Sequence, residues 1–448
     1  MCEKKFLFQP TGNPACTVRS KKKLLILAGA GPHCKVVETA KEIGLYVIVT
    51  DYLPDSPAKK IADESWTLNI TDIDGIVECC KKAGVSGVLN FCIDPGQKPY
   101  QKICEKLALP CIGNAEQFDI FTDKRKFKQA CLRYGVDVIP EYSIDDVISG
   151  KSQYPILVKP AESRGSRGQT VCNNLQEVLD AVKYAEEISS NGRVLIEDYM
   201  GGKPDFSLTY LIKEEKAYLV RTADRHLGSV ESGMSRQTMA SVSPSRFTNV
   251  LLENAHERIC NFLKGVGIVN GSVLMQGFVD GNTIKFYDMG LRFPGNEYAN
   301  LFTKATGMNV MKSMIRFALG EGIDDYDGAL ENSWSLNGKR IFQLMYNVAP
   351  GKVAKIKGIE TVKGHPCVVD LQQRIFVGDD VPATGDIRQR ACEIDMLFDD
   401  DAMAEMIRFV QETIEFTDTD GRNMKLTCIN PKDMSELYRI CTGGGIKH

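Results

Sequence analysis

The feature that most restricts the fold is a series of short apolar segments, alternating with helical stretches, between Lys22 and Asp119. The segment KLLILAGAG reads as a buried strand entering a glycine turn, and a helical stretch follows as far as Ile43. YVIVTD then supplies a second strand that stops at Asp51. The pattern repeats with a helix over Ile73 to Ala83, a strand at Val88 to Phe91 and a helix from Pro99 to Leu107. Continuous apolar strands joined by short connections to helices need cover on both faces, which a small parallel α/β sheet provides. Ligands of such sheets meet the carboxyl ends of the strands, which puts Gly29, Ala30, Gly31, Asp51 and Asp94 on one rim.

Beyond residue 115 the pattern changes. YPILVKP, RVLIEDYM, FSLTYLIKEEKAYLV and GSVLMQGFVDGNTIKFYDMG read as mostly antiparallel strands, with hairpin turns at Lys213 to Lys216 and Asp280 to Asn282. Helices are expected at Lys124 to Tyr134, Leu175 to Ile188, Phe247 to Val266 and Met308 to Leu319. A last unit carries strands in RIFQLMYNVA, HPCVVDL and RIFVG and one clear helix at Ala402 to Ile414. The expected organisation is a tail over 1–20, an α/β domain over 21–115, a central domain over 116–325 and an α+β domain over 326–448. No internal repeat or low-complexity linker separates them, so the units should pack together.

Composition narrows the function. Fifty-five basic against 58 acidic residues leave a net charge of −3, which gives no bulk electrostatic reason to bind nucleic acid or an anionic membrane. No apolar run approaches the ~20 residues of a membrane-spanning helix. Met1 to Lys23 is polar, ends in a basic cluster and lacks the apolar core of a signal peptide, so a cytoplasmic location is expected. The 15 cysteines include one adjacent pair, Cys79 and Cys80, and no CxxC, and the five histidines are scattered. A structural zinc site is therefore not expected, and the cysteines should be reduced and mostly buried as small apolar residues.

LILAGAGPHCKVVETA followed by VIVTD partly fits a dinucleotide fingerprint, with Gly29 and Gly31 in place and Asp51 as the acidic residue. The third position is Cys34 rather than glycine, so a tight strand-to-helix turn without a dinucleotide is the simpler expectation. An ordered set further on is more specific. Asp123-Lys124 opens a basic helix. Pro155 to Pro160 is a strand that delivers Lys159, followed directly by the loop Ser163-Arg164-Gly165-Ser166-Arg167-Gly168. Val194 to Gly202 is an apolar strand that stops at Glu197-Asp198 and a glycine hinge, and Asp205 opens the next strand. A glycine loop lets backbone N–H groups approach phosphate oxygens, and two lysines offset much of a triphosphate's charge.

This ordered set resembles the ATP-grasp superfamily of ligases, of the carboxylate–amine and carbamoyl-phosphate-synthase-like kind. The resemblance implies an ATP-grasp fold with an N-terminal Rossmann-like pre-domain, a lid subdomain over about 135–197 that moves, and a C-terminal α+β domain. It implies that Lys124 and Lys159 bind ATP phosphates from two sides under a lid formed by Gly165, Ser166 and Gly168. Glu197, Asp198, Tyr199 and Met200 would present backbone groups to the adenine, and Asp205 would hold the ribose. Mg²⁺ would be held by Gln276 and Asp288, the positions that match the family's metal ligands, and Arg292 would stabilise an acyl phosphate and the oxyanion that follows. Gly290 stands where the family pattern has asparagine, removing one oxygen ligand, and Asn296 or Glu297 could compensate.

Arg225, His226 and Arg236 lie in the Gly/Ser-rich segment RTADRHLGSVESGMSRQ, read as a loop beside the site with arginines suited to a second carboxylate on the substrate. The expected partners are therefore small-molecule carboxylate and amine substrates with ATP and Mg²⁺, not nucleic acid or a membrane. A homodimer is compatible with the sequence. Two other functions fit parts of the chain. A nicotinamide-dependent dehydrogenase would rest on Gly29, Gly31 and Asp51 alone, and a nucleotide-binding protein without ligase chemistry would rest on Gln276 and Gly290.

Overall fold

The structure is a computed structural model, and it describes residues 21–161, 168–189, 192–228, 237–295, 298–324, 326–399, 402–426 and 429–439. Strands β1 (Lys23–Leu27), β2 (Tyr46–Thr50), β3 (Glu64–Trp66) and β4 (Gly87–Leu89) form a parallel sheet in the order β3–β2–β1–β4. Four of the five residues of β1 are buried, as a central strand covered on both faces requires. Helices Gly31–Glu42, Ile73–Ala83 and Gln97–Leu107 follow β1, β3 and β4.

Strands β5 (Ile156–Pro160), β6 (Thr170–Cys172) and β7 (Val194–Asp198) make a small antiparallel sheet with β5 in the middle. Helix Leu175–Ile188 packs on it through Val178, Ala181 and Ala185, and these join Ile156, Val158 and Ile196 in a core separate from the other two. That independent core falls within the span expected for a lid.

The large sheet is assembled from β8 (Asp205–Lys213), β9 (Lys216–Leu227), β10 (Thr238–Ser243), β11 (Gly271–Asp280), β12 (Thr283–Gly290), β13 (Lys339–Val348), β14 (Gly351–Lys357), β15 (Val368–Gln373), β16 (Asp380–Val381), β17 (Arg390–Asp399), β18 (Glu415–Asp418) and β19 (Lys425–Leu426), less three strands. Its order is β12–β11–β8–β9–β10–β13–β17–β15 with β19 beside β13, while β14, β16 and β18 form a separate small sheet. Both expected hairpins are present, pairing Lys213 with Lys216 and Asp280 with Thr283.

Two expected elements are corrected: RIFVG forms no strand, β15 ending at Gln373, and one expected helix is broken in two. The C-terminal unit shares the large sheet: β10 is paired with β9 on one edge, and β13 satisfies its other edge, Ala240 opposite Leu344. Strands β13, β15, β17 and β19 are therefore continuous with β10 in one sheet, and their apolar side chains gather with Met239, Ala240 and Val242 in a second core. The helix expected from Phe247 to Val266 is two helices, Thr248–Asn254 and His256–Gly265, broken at Ala255. Among the described residues the cysteines are free thiols, and no helix is long and apolar enough to cross a membrane.

His33, in the first turn of helix Gly31–Glu42, is fully buried against Cys92. Its Nδ1 faces the carbonyl of Ala30 at 3.3 Å. Burial holds its pKa down at about 4, against which Ala30 and Asp51 pull only weakly. Protonation therefore favours the unfolded chain, and stability should be lost as pH falls through the range between the ordinary histidine value and about 4. Urea unfolding should show a loss of about 2 kcal/mol between roughly pH 7 and pH 5 that His33→Gln removes. An identical pH slope in the variant would show that His33 is not the group responsible.

Candidate nucleotide and metal site

Asp123 caps helix Lys124–Arg133, accepting from the N–H groups of Arg125 at 2.9 Å and Lys126 at 3.1 Å. That cap fixes where the helix starts and presents Lys124 and, one turn later, Lys128 on the same side. Lys128 ion-pairs with the buried carboxylate of Glu197 on β7 and donates to the carbonyl of Ile139 at 2.9 Å. Lys159, at the end of β5, reaches the other oxygen of Glu197 at 2.5 Å. Burial favours protonated Glu197, but Lys159 and Lys128 outweigh it and hold the carboxyl below its ordinary value. Lys159 is depressed, because burial exceeds what one shared carboxylate returns and Lys124 and Lys128 repel it. Two lysines on one carboxylate leave one positive charge in excess.

Lys159 and Glu197 of this trio line a cleft of about 900 Å³ between the small sheet and the large one. Ile139 and Leu157 line it from one side and Phe278 from the other, where Phe278 stacks on Tyr287 at 4.9 Å between ring centroids. Asp198, Tyr199 and Met200 form its hinge edge, with Asp198 accepting from Tyr142 at 2.8 Å. The Tyr199 ring folds back over Gly201, where a Cβ would lie 2.2 Å from it and oblige the ring to move. The apolar slot beside a run of backbone groups suits a flat heteroaromatic base.

Asp205 lies on the cleft floor but its carboxylate is already engaged, by Arg225 at 3.2 Å and the Tyr287 hydroxyl at 3.4 Å. Burial pushes Asp205 up to about 6, with Arg225 and Tyr287 offsetting part of that. Arg225 and His226 are on strand β9 rather than in a loop, which corrects the reading of that segment. Arg225 also donates to Thr238 at 3.1 Å, and His226 Nε2 lies 3.0 Å from the Tyr438 hydroxyl. Arg225 thus lines the cleft floor with its guanidinium engaged by Asp205, Tyr287 and Thr238. Gly165, Ser166, Arg236, Asn296 and Glu297 lie outside the described residues, while Gly168, at φ +75°, closes the loop next to Pro160.

At the other end Gln276 and Asp288 are cross-strand partners on β11 and β12, beside a register shift at Gln276/Gly277. Lys124 pairs with Asp288 at 3.2 Å. A half-exposed carboxylate with a neighbouring amide oxygen meets the small protein share that Mg²⁺ needs, the remaining ligands being phosphate oxygens and water. Among the described residues no three His, Cys, Asp or Glu side chains cluster as a metal cage. Arg292 makes a two-point pair with Asp94 of the N-terminal domain, through Nε and, at 2.9 Å, through Nη2, and its Nη1 donates to the Phe293 carbonyl. Its fork is fully used in this structure, a placement the catalytic expectation did not include.

The glycine turn of β1 is closed. The Gly29 N–H donates to Asp51 at 2.7 Å, and Asp51 also accepts from Leu53 at 2.8 Å. A Cβ at Gly29 would lie 2.3 Å from Ser56 Oγ, so the turn is packed directly against the residue that opens the short helix Pro57–Lys60. Sequence reasoning missed Lys128, Phe278 and the C-terminal helix Pro431–Arg439. The first was detectable as the residue one turn beyond Lys124, whereas the helix is short and polar and carries no motif.

The chain is similar in sequence and in fold to known proteins. Residues 123–326 match the family model described as the carbamoyl-phosphate synthase L chain, ATP binding domain. The small subunit of 2-oxoglutarate carboxylase from Hydrogenobacter thermophilus is 23% identical over 329 residues, 67% of this chain and 67% of that one. The solved biotin carboxylase domain of the same enzyme, in complex with MgADP, ADP and bicarbonate, superposes with a TM-score of 0.72 at 18% identity, covering 90% of this chain and 91% of that one. An L-amino acid ligase from Bacillus licheniformis superposes with a TM-score of 0.72 at 16% identity, covering 89% and 99%. The match to that ATP-binding domain thus covers the central part of the chain, and the fold as a whole is the one these solved structures share.

If the Asp94–Arg292 pair ties the N-terminal domain to the large sheet, Asp94→Asn and Arg292→Lys should each cost about 1 kcal/mol, the half-exposed setting keeping the figure small. The double variant should cost little more than either single one. A double-mutant cycle in urea with no coupling between the two would dismiss the tie.

Proposed function

We propose that this protein is an ATP- and Mg²⁺-dependent ligase that activates a carboxylate as an acyl phosphate for attack by an amine. The observation that carries the reading is the buried Lys128–Glu197–Lys159 trio, one positive charge in excess, set beside an apolar slot and within electrostatic reach of Lys124. A polyphosphate supplies the missing negative charge, and the slot takes the base. Lys159 and Lys124 hold the phosphates, the 197–200 edge orients the base, and Asp288 with Gln276 holds the magnesium ion. The ion's contribution is to neutralise charge on the β- and γ-phosphates. Arg292 stands on the N-terminal domain side, where a carboxylate substrate would meet the γ-phosphate.

A second reading, nucleotide binding without ligation, is favoured by one observation: Arg292 is engaged by Asp94, and its side chain fills the space at Gly290. ADP release measured with magnesium across amino acids, other small carboxylates and amines separates the two. Substrate-stimulated release supports the ligase, and nucleotide binding with no stimulation across the panel supports the alternative.

Lys124→Ala removes a partly exposed cation and should fold normally. Losing a charge-assisted hydrogen bond of ~1.5–3 kcal/mol should weaken ATP binding about 10- to 150-fold. Lys159→Ala should weaken ATP similarly and also lower stability, by about 3 kcal/mol, because it leaves Glu197 short of a partner. Calorimetric titration with unchanged ATP affinity in both variants would remove this region as the nucleotide site.

A further inference from the structure

The C-terminal helix Pro431–Arg439 has no motif, yet it lies against the candidate nucleotide cleft. Asn430, Asp433, Met434 and Leu437 all line that cleft, spaced three and four apart as one helical face requires. They share it with Leu157, the 197–202 edge and Phe278, and with Lys159 and Arg225, but not with Lys124 or Asp288. The helix therefore walls the base end, away from the metal end.

One side chain fixes it there. Tyr438 is buried, and its hydroxyl donates to Asp224 Oδ2 at 2.5 Å. Asp224 is itself buried on β9, held by the Ser245 hydroxyl and by the Arg246 N–H at 3.2 Å. Having given its only proton to Asp224, the Tyr438 oxygen accepts from His226 Nε2 at 3.0 Å, which assigns that proton to Nε2. The guanidinium of Arg340, on β13, sits 4.9 Å over the Tyr438 ring. Strand β9, the turn after β10 and strand β13 thus converge on one hydroxyl and one ring of the last described helix.

We propose that Tyr438 is a latch that holds the C-terminal helix as a wall of the nucleotide cleft, and so positions the base end of the bound nucleotide. The inference rests on the nucleotide-site reading above and adds a residue and an element to it. Tyr438 touches the helix's anchor and not the nucleotide, so it is a positioning residue. Removing its hydroxyl should loosen the wall for ligands that carry a base and leave ligands that carry only phosphates unaffected.

The test uses the full chain, wild type, Tyr438→Phe and Leu437→Ala, titrated calorimetrically with ATP, ADP and inorganic triphosphate in excess magnesium. Tyr438→Phe keeps the ring over Arg340 and should weaken ATP and ADP about tenfold, with triphosphate affinity within about twofold. Leu437→Ala, at a partly exposed position, should weaken both nucleotides a few-fold on the same pattern. Amide exchange over 431–439 should be faster in Tyr438→Phe. Wild-type nucleotide affinity with faster exchange, an equal loss for triphosphate, or unchanged exchange would each overturn the latch. A wild-type protein that binds neither nucleotide nor triphosphate would overturn the nucleotide-site reading itself, and the latch with it.

Discussion

Glu197 is the constraint on which the candidate site depends. It is fully buried on the small sheet, and one of its two lysines, Lys159, belongs to that sheet, whereas Lys128 belongs to a helix packed on the body of the protein. A buried carboxylate without partners would shift toward its neutral form or force the chain open. With two partners it stays charged and joins the small sheet to the body at one point. A trio of this kind adds little net stability compared with apolar packing, but losing any member is costly. Its position at the mouth of a cleft is thus better explained by what it offers a ligand than by what it contributes to folding.

Two features extend from that point in opposite directions. Toward the hinge, the backbone of 197–200 and the stacked Phe278 and Tyr287 make a flat apolar space, and the committed Asp205–Arg225 pair closes its floor. Toward the N-terminal domain, Lys124, Asp288 and Gln276 make a polar end that reaches the Asp94–Arg292 tie. In the proposed site a nucleotide lying with its base in the first and its phosphates in the second would span both sheets.

The fold was legible where burial repeats locally. The parallel sheet, the two hairpins and helix Leu175–Ile188 all follow from runs of apolar residues broken by turn formers. Continuity of the large sheet across residue 326 was not, because strand pairing between β10 and β13 is a contact about 100 residues apart in sequence with no local signature. The site was legible to the extent that motifs are local. Lys124, Lys159 and Glu197 were identifiable as residues, but that Glu197 is a side-chain hub as well as part of a backbone edge depends on Lys128, which only the folded helix brings to it. Arg225 and His226 were misplaced in a loop because glycine and serine just beyond them mask the far end of β9, the strand that completes the expected hairpin with β8. The C-terminal helix was invisible for a different reason: its importance lies in Tyr438 meeting Asp224, a pair more than 200 positions apart.

The metal end shows how a departure from a family pattern can be one coupled change rather than one lost ligand. A Cβ at position 290 would lie 3.2 Å from Cγ and Nε of Arg292 and 3.6 Å from Asp94 Oδ1. An asparagine there would therefore compete with Arg292 for the space from which it reaches Asp94. Glycine leaves room for the Arg292 side chain to reach Asp94 of the N-terminal domain, and in the proposed site an oxygen ligand is given up with it. What remains is Asp288, whose charge is already countered by Lys124. In the proposed site a cation approaching alone would have to displace that lysine, whereas a bound triphosphate would draw Lys124 to itself and release the carboxylate. Metal binding and nucleotide binding are on this argument a single event, with Lys124 exchanging one anion for another as both arrive.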